Sequence, residues 1–125
     1  MLQTLFTVAL GGAIGASARY LTNVATMRLL GGDFPWATVF ANVAGSFCMG
    51  FIVVLFAHRG LTRHAPFVMT GILGGYTTFS AFSLDTISLW QRGAPLTAGA
   101  YVAGSVALSL AALVAGMAVA RGIYA

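Results

Sequence analysis

Hydroxyls, an amide and aromatic rings recur at helical spacing along this chain, and none stands beside a general base. Tyr101, Ser105 and Ser109 follow one another at intervals of four, which lays three hydroxyls along one helical face. Asn42 has Thr38 and Ser46 one turn to either side. Phe79 and Phe82 are three apart, as are Ser80 and Ser83, so each pair lies near one face. Hydroxyls and amides donate hydrogen bonds, and the edge of an aromatic ring is the positive rim of its quadrupole. Such groups can replace the water around an ion and so line an ion path. They cannot break a covalent bond. No nucleophile neighbours a base, and His58 and His64 lie at a loop with no acid near them in sequence, so an enzyme is set aside.

Each of these residues has a plainer use. A lone Ser or Thr in an apolar helix usually bonds back to the carbonyl four residues earlier, but three hydroxyls in register favour a polar track. The Asn42 amide must find partners in an apolar span, either across a helix contact or on an ion. Arg19 either snorkels to the headgroups or lines a vestibule that draws anions inward. Asp85 either pairs with an arginine or caps a mobile element. Cys48, the only cysteine, reads as a small packing residue.

Composition says what must position these groups. The chain of 125 residues is 59% hydrophobic and 6% charged, where soluble domains carry about 25% charged residues. Its mean hydropathy is +0.93. The expectation is an integral membrane protein, one transmembrane domain over 1–125, in the cell (inner) membrane. Six arginines, no lysine and two acids give a formal charge of +4. The arginines are scattered singly along the chain, unlike the clusters that nucleic acid requires, so nucleic acid is excluded as a partner and the sign favours anions.

Four spans follow, about 2–30, 35–58, 65–90 and 96–120, each long enough to cross a bilayer. Gly, Pro and charge punctuate the short connections. The first span lacks the basic start of a cleavable signal and is kept as a mature helix. Within the third lies Gly74-Gly75-Tyr76-Thr77-Thr78-Phe79-Ser80-Ala81-Phe82-Ser83. A Gly costs about 1 kcal/mol against Ala in a helix, so this helix is expected to break at the glycine pair. At membrane depth a break is tolerable only beside protein or a water-filled cavity. Pairs of small residues four apart, such as Gly11 and Gly15, Gly71 and Gly75, and Ala112 and Gly116, suit a tight bundle.

Arg59, Arg63 and Arg121 fall on one side of the bundle. Arg28 and Arg92 fall on the other, joined by Arg19, which lies about 24 Å along the first helix from Gln3. With this balance, basic loops set no orientation. Insertion both ways and an antiparallel homodimer become the expectation.

The run Gly11-Gly12-Ala13-Ile14-Gly15-Ala16 ending in Arg19-Tyr20, then Asn42 with Gly45, Phe47 and Gly50, then the Gly74-to-Ser83 stretch, resemble the CrcB/Fluc family of small fluoride channels. The likeness spans essentially the whole chain, and GGYTTFSAFS is its most specific part. Ala37 stands where the family often has glycine, and Tyr76 where other residues are frequent. The resemblance implies an all-α membrane protein of four transmembrane helices, the third broken mid-span, forming an antiparallel homodimer with two fluoride pores. It implies a structural sodium ion held by the main-chain carbonyls of Gly74 and Thr77 from both subunits. It makes Phe79 and Phe82 the pore-lining rings and Asn42 the amide on the ion, with Ser80 or Ser83 nearby. It makes Tyr101, Ser105 and Ser109 the polar track and Arg19 the vestibule arginine.

The chemistry is coherent with the residues. Fluoride holds its water strongly, so a selective pore must supply donors in exchange, yet bind weakly enough for exit. Carbonyls exposed by broken helices coordinate cations at the bilayer midplane. The alternative is a small dual-topology, proton-coupled multidrug exporter. That needs a membrane carboxylate, but the first span has no acid and Asp85 is the only one inside a span. A purely structural subunit of a larger complex would need neither a hydroxyl stripe nor a break.

Overall fold

The computed structural model describes residues 1–124, and it is all helix. The elements are α1 (Leu2–Leu30), α2 (Trp36–Arg59), a single 3₁₀ turn (Thr62–His64), α3, α4 (Ser80–Gln91) and α5 (Pro95–Tyr124). We use α3 for residues 66–76, a wide-turned stretch Pro66–Leu73 followed by one ordinary turn Gly74–Tyr76. Residues Thr62–Gln91 make one pass, so the chain crosses four times, and α2 and α5 run the same way. Three passes, Trp36–Arg59, Thr62–Gln91 and Pro95–Tyr124, are both long and apolar enough to span a membrane. The 29 residues of α1 are also long enough, but Gln3, Arg19, Asn23 and Arg28 make it the least apolar. The chain is a multi-pass membrane protein with one span bent midway.

Helix ends fall where glycine permits them. Gly31, Gly60 and Gly93 follow α1, α2 and α4 with φ of 78°, 66° and 81°, a region that side chains other than glycine rarely adopt. The Gly60 stop is tied down twice, by its own N–H and by Leu61 N–H, each donated to Phe56 O.

Backbones meet at the small residues. A side chain on Gly15 would overlap the Ile72 carbonyl, and one on Gly11 would crowd Phe67 and Gly71, so α1 lies directly on α3. Gly50 faces the Leu113 carbonyl and Gly116 the Phe47 carbonyl, which seats α2 on α5. The side-chain core is small. Leu89, Ala98 and Tyr101 are buried, with Phe34, Val39 and Phe82 against them. Most large apolar side chains point outward, as a bilayer solvent requires.

The break does not fall at the glycine pair. Gly74 and Gly75 are still helical, and the chain turns extended at Thr77, with φ −84° and ψ 157°. Gly75 instead lets α3 approach α1, since a Cβ there would come within 2.8 Å of Gly12 O. Gly75 is packed closely on α1, and the two threonines that follow take the break.

Candidate functional site

At the break several of the freed backbone groups find new partners, and others find none. The last bond of the α3 ladder runs from Thr77 N–H to Leu73 O at 3.0 Å, and helical bonding resumes with Ser83 N–H on Phe79 O at 2.9 Å. Between them, Thr78 N–H turns away from the helix and donates to Asn42 Oδ1 at 2.8 Å. Asn42 Nδ2 donates back to Thr78 O at 3.0 Å. Ala81 N–H donates to the Thr78 hydroxyl at 3.1 Å and so caps the start of α4. Arg19 Nε donates to Gly75 O at 3.2 Å. Thr78 and Ala81 are the residues whose N–H groups would otherwise bond Gly74 O and Thr77 O. Among the described residues no donor reaches those two carbonyls. Bare carbonyls at a mid-membrane break are the donor set a hard cation accepts.

Beside the break lies a cavity of about 490 Å³, where Asn42, Phe79, Phe82, Ser105 and Ser109 come together with Gly74 and Thr77. Gly45 makes room for this arrangement, because any side chain there would overlap the Thr77 methyl. The Phe79 and Phe82 rings are 5.5 Å apart and tilted by 57°. Phe82 in turn lies 5.3 Å from the Tyr101 ring. Ser105 is only 6% exposed. Its hydroxyl has no hydrogen-bond partner among the described residues, and a buried polar group so placed calls for a ligand, a water or an ion.

Not all the expected residues converge. Tyr101 is buried beside this cavity and does not line it; its hydroxyl donates to Asp85 Oδ2 at 3.0 Å. Ser83 spends its hydroxyl on Phe79 O at 3.0 Å, and Ser80 pairs with the Thr78 hydroxyl at 3.3 Å; both are exposed and outside the cavity. Arg19 lines a second cavity of about 410 Å³ with Asn23, Thr38 and Asp85. It reaches into the bundle toward α3 instead of snorkelling outward. Tyr76 hydrogen-bonds Thr22 at 2.8 Å, which ties the end of α3 to α1.

Two features escape sequence reasoning. Asp85 pairs with neither an arginine nor a mobile element. It accepts from Thr38 Oγ1 at 2.7 Å as well as from Tyr101, so α2, α4 and α5 meet at one carboxylate. Thr78 is the other, the residue whose backbone and hydroxyl organise the break. The Thr38, Asn42, Ser46 face shows that α2 offers polar groups, but it does not name Asp85 or Thr78 as what they hold.

Comparison with known proteins gives the family. Residues 6–117 match the family described as CrcB-like protein, Camphor Resistance (CrcB). The chain is 62% identical over 122 residues to the fluoride-specific ion channel FluC of Cereibacter sphaeroides, covering 98% of each chain. It is 59% identical to that of Roseobacter denitrificans, over 98% of this chain and 99% of the other. With the protein of the same name from Paracoccus denitrificans it shares 54% identity over the full length of both. Likeness of this extent settles the family: the chain belongs to the CrcB family.

Proposed function

We propose that this chain is a fluoride-selective ion channel, through which fluoride leaves the cell passively across the inner membrane. The observation that carries the reading is the cavity in which the unpaired Ser105 hydroxyl, Ser109, Asn42 and the Phe79 and Phe82 rings meet. Its relatives at 54–62% identity bear the name fluoride-specific ion channel.

Fluoride sheds water as it moves from donor to donor. Ser105 and Ser109 offer O–H groups with one turn between them. Asn42 holds Thr78 with its oxygen and one N–H, which leaves its second N–H for the ion. Ring edges of Phe79 and Phe82 add positive rim without fixed charge, so the ion is held weakly enough to leave. Arg19 supplies fixed positive charge beside the break and concentrates anions there. Tyr101, its O–H held by Asp85, backs the Phe82 ring from behind the cavity.

The working unit in this reading is an antiparallel homodimer with two pores. Phe79 is 77% exposed on the single chain, and a second copy would cover it; balanced arginines allow the two copies opposite orientations. Gly74 and Thr77 of each copy would hold a structural sodium ion with their main-chain carbonyls. Those carbonyls would be satisfied by the ion and so would link the two copies.

The test is fluoride efflux from liposomes containing the purified protein, with chloride as control. Fast, passive, fluoride-selective flux is expected. Equal chloride flux, or transport only when a proton gradient drives it, would overturn the reading in favour of an unselective pore or an exporter.

A further inference from the structure

Arginines that are far apart in sequence gather at one end of the bundle, and no acidic side chain answers them. Because α2 and α5 run the same way, their C-terminal turns finish side by side. The α2 end carries His58 and Arg59, the α5 end Arg121, and the intervening 3₁₀ turn Arg63 and His64. All five are exposed. The Arg59 guanidinium lies over the Tyr124 ring, 5.2 Å from its centre. His58 faces the same ring at 5.8 Å, and Arg121 is one turn earlier on α5. Arg63 Nε donates to His64 Nε2 at 3.2 Å.

The chain's two acids are both elsewhere. Asp33 lies in the α1–α2 connection at the opposite end, where its carbonyl holds Arg92 at 2.8 Å. Asp85 is engaged with Thr38 and Tyr101. The opposite end therefore sets two acids against Arg19, Arg28 and Arg92, while this end has three arginines and none. At the end of a membrane-crossing bundle such side chains sit at headgroup level. No acidic side chain of the chain supplies their counter-charge.

We propose that this end binds the phosphate of an anionic phospholipid headgroup. Guanidinium groups match phosphate oxygens with paired N–H donors. Arg59 is held in place by Tyr124, so less freedom is lost on binding. Tyr124 also packs edgewise on Phe51 at 6.2 Å, and an aromatic with one wet and one apolar side suits the acyl boundary beneath the headgroup. The proposal does not depend on fluoride or on the cavity.

The experiment is native mass spectrometry of the purified protein released from bilayers of phosphatidylcholine and phosphatidylglycerol. Wild-type protein should retain phosphatidylglycerol in preference to phosphatidylcholine. The combined variant Arg59→Gln, Arg63→Gln, Arg121→Gln should lose that preference, on the order of fivefold per arginine. The corresponding three Lys substitutions should keep part of it, and Arg28→Gln at the far end should keep all of it. Wild-type protein with no preference, an unchanged triple Gln variant, or equal loss on Arg28→Gln would each overturn the proposal. Displacement of the lipid by an equal concentration of inorganic phosphate would also overturn it, by revealing a site for free phosphate.

Discussion

The side chain of Asn42 takes up both backbone groups of Thr78, accepting from its N–H at 2.8 Å and donating to its C=O at 3.0 Å. One amide on α2 thus substitutes for the helical bonds that the third pass gives up, and it does so where lipid could supply none.

From this follows the first prediction. Asn42→Ala leaves the Thr78 N–H and C=O without these partners, at about 1–3 kcal/mol for each bare group. The variant should melt several degrees lower and conduct poorly. Thermal unfolding in detergent and fluoride efflux measure the two effects separately. An Asn42→Ala protein that melts with the wild type would show that the clamp is dispensable.

The rings give the second. Phe79→Ile and Phe82→Ile should each lower fluoride flux by roughly tenfold, the upper end of what one aromatic contact is worth. The proposed dimer should survive, because isoleucine keeps an apolar side chain at both positions. Wild-type flux in purified, dimeric samples of both variants would remove the rings from the ion path.

How far the sequence foretells these features depends on the range over which each is determined. Helix limits are local, set by Gly31, Gly60, Gly93 and the prolines, and the second span expected at 35–58 is found at Trp36–Arg59. The position of the break is not local. Gly74 and Gly75 look weakest by propensity, yet Gly75 is helical and packed closely on Gly12, and the break falls at Thr77. The partners of Asp85 lie 47 and 16 residues away, and nothing in the spacing of Thr38 or Tyr101 points to a shared carboxylate. The grouping of Asn42, Phe79, Phe82, Ser105 and Ser109 was legible from the resemblance to the CrcB family, since helical periodicity places each on a face of its own helix but does not bring the helices together. Ser80 and Ser83 share a face too, but it turns away from the cavity.

Glycines at crossings give the third prediction. Gly15→Ala, Gly50→Ala and Gly116→Ala each drive a methyl into a backbone carbonyl of the facing helix, where nothing flexible can yield. Each should cost about 1–3 kcal/mol or more. Gly122→Ala, with open space around it, should be neutral or gain up to about 1 kcal/mol in helix propensity. Melting temperatures of the four variants decide the matter, and equal melting of Gly50→Ala and Gly122→Ala would contradict the close α2–α5 contact.

Orientation gives the fourth. Two or three arginines added between Arg59 and Arg63 should bias every copy one way, since basic loops near span ends set topology. Activity should then collapse, and return when a copy biased the other way is co-expressed. A biased chain that remains active alone argues against the antiparallel dimer.

The last prediction concerns the two carbonyls without donors. Asn42 occupies Thr78 N–H and Thr78 Oγ1 occupies Ala81 N–H, so Gly74 O and Thr77 O are left facing out of the ladder. Leaving such groups bare in hydrocarbon costs several kcal/mol each. A sodium ion shared between two copies removes that cost four times over, and it should exchange slowly and carry no flux of its own. Side-chain substitutions barely test this, because the proposed ligands are main-chain and the Thr77 hydroxyl is already committed to Leu73 O at 2.9 Å. The informative measurement is fluoride flux after exhaustive replacement of sodium by a large organic cation. Flux should be lost, then restored by sodium and poorly by potassium. The competing account satisfies the same carbonyls with water. It predicts unchanged flux in dimers demonstrably stripped of sodium, and flux that instead scaled with an imposed sodium gradient would make the ion a transported partner.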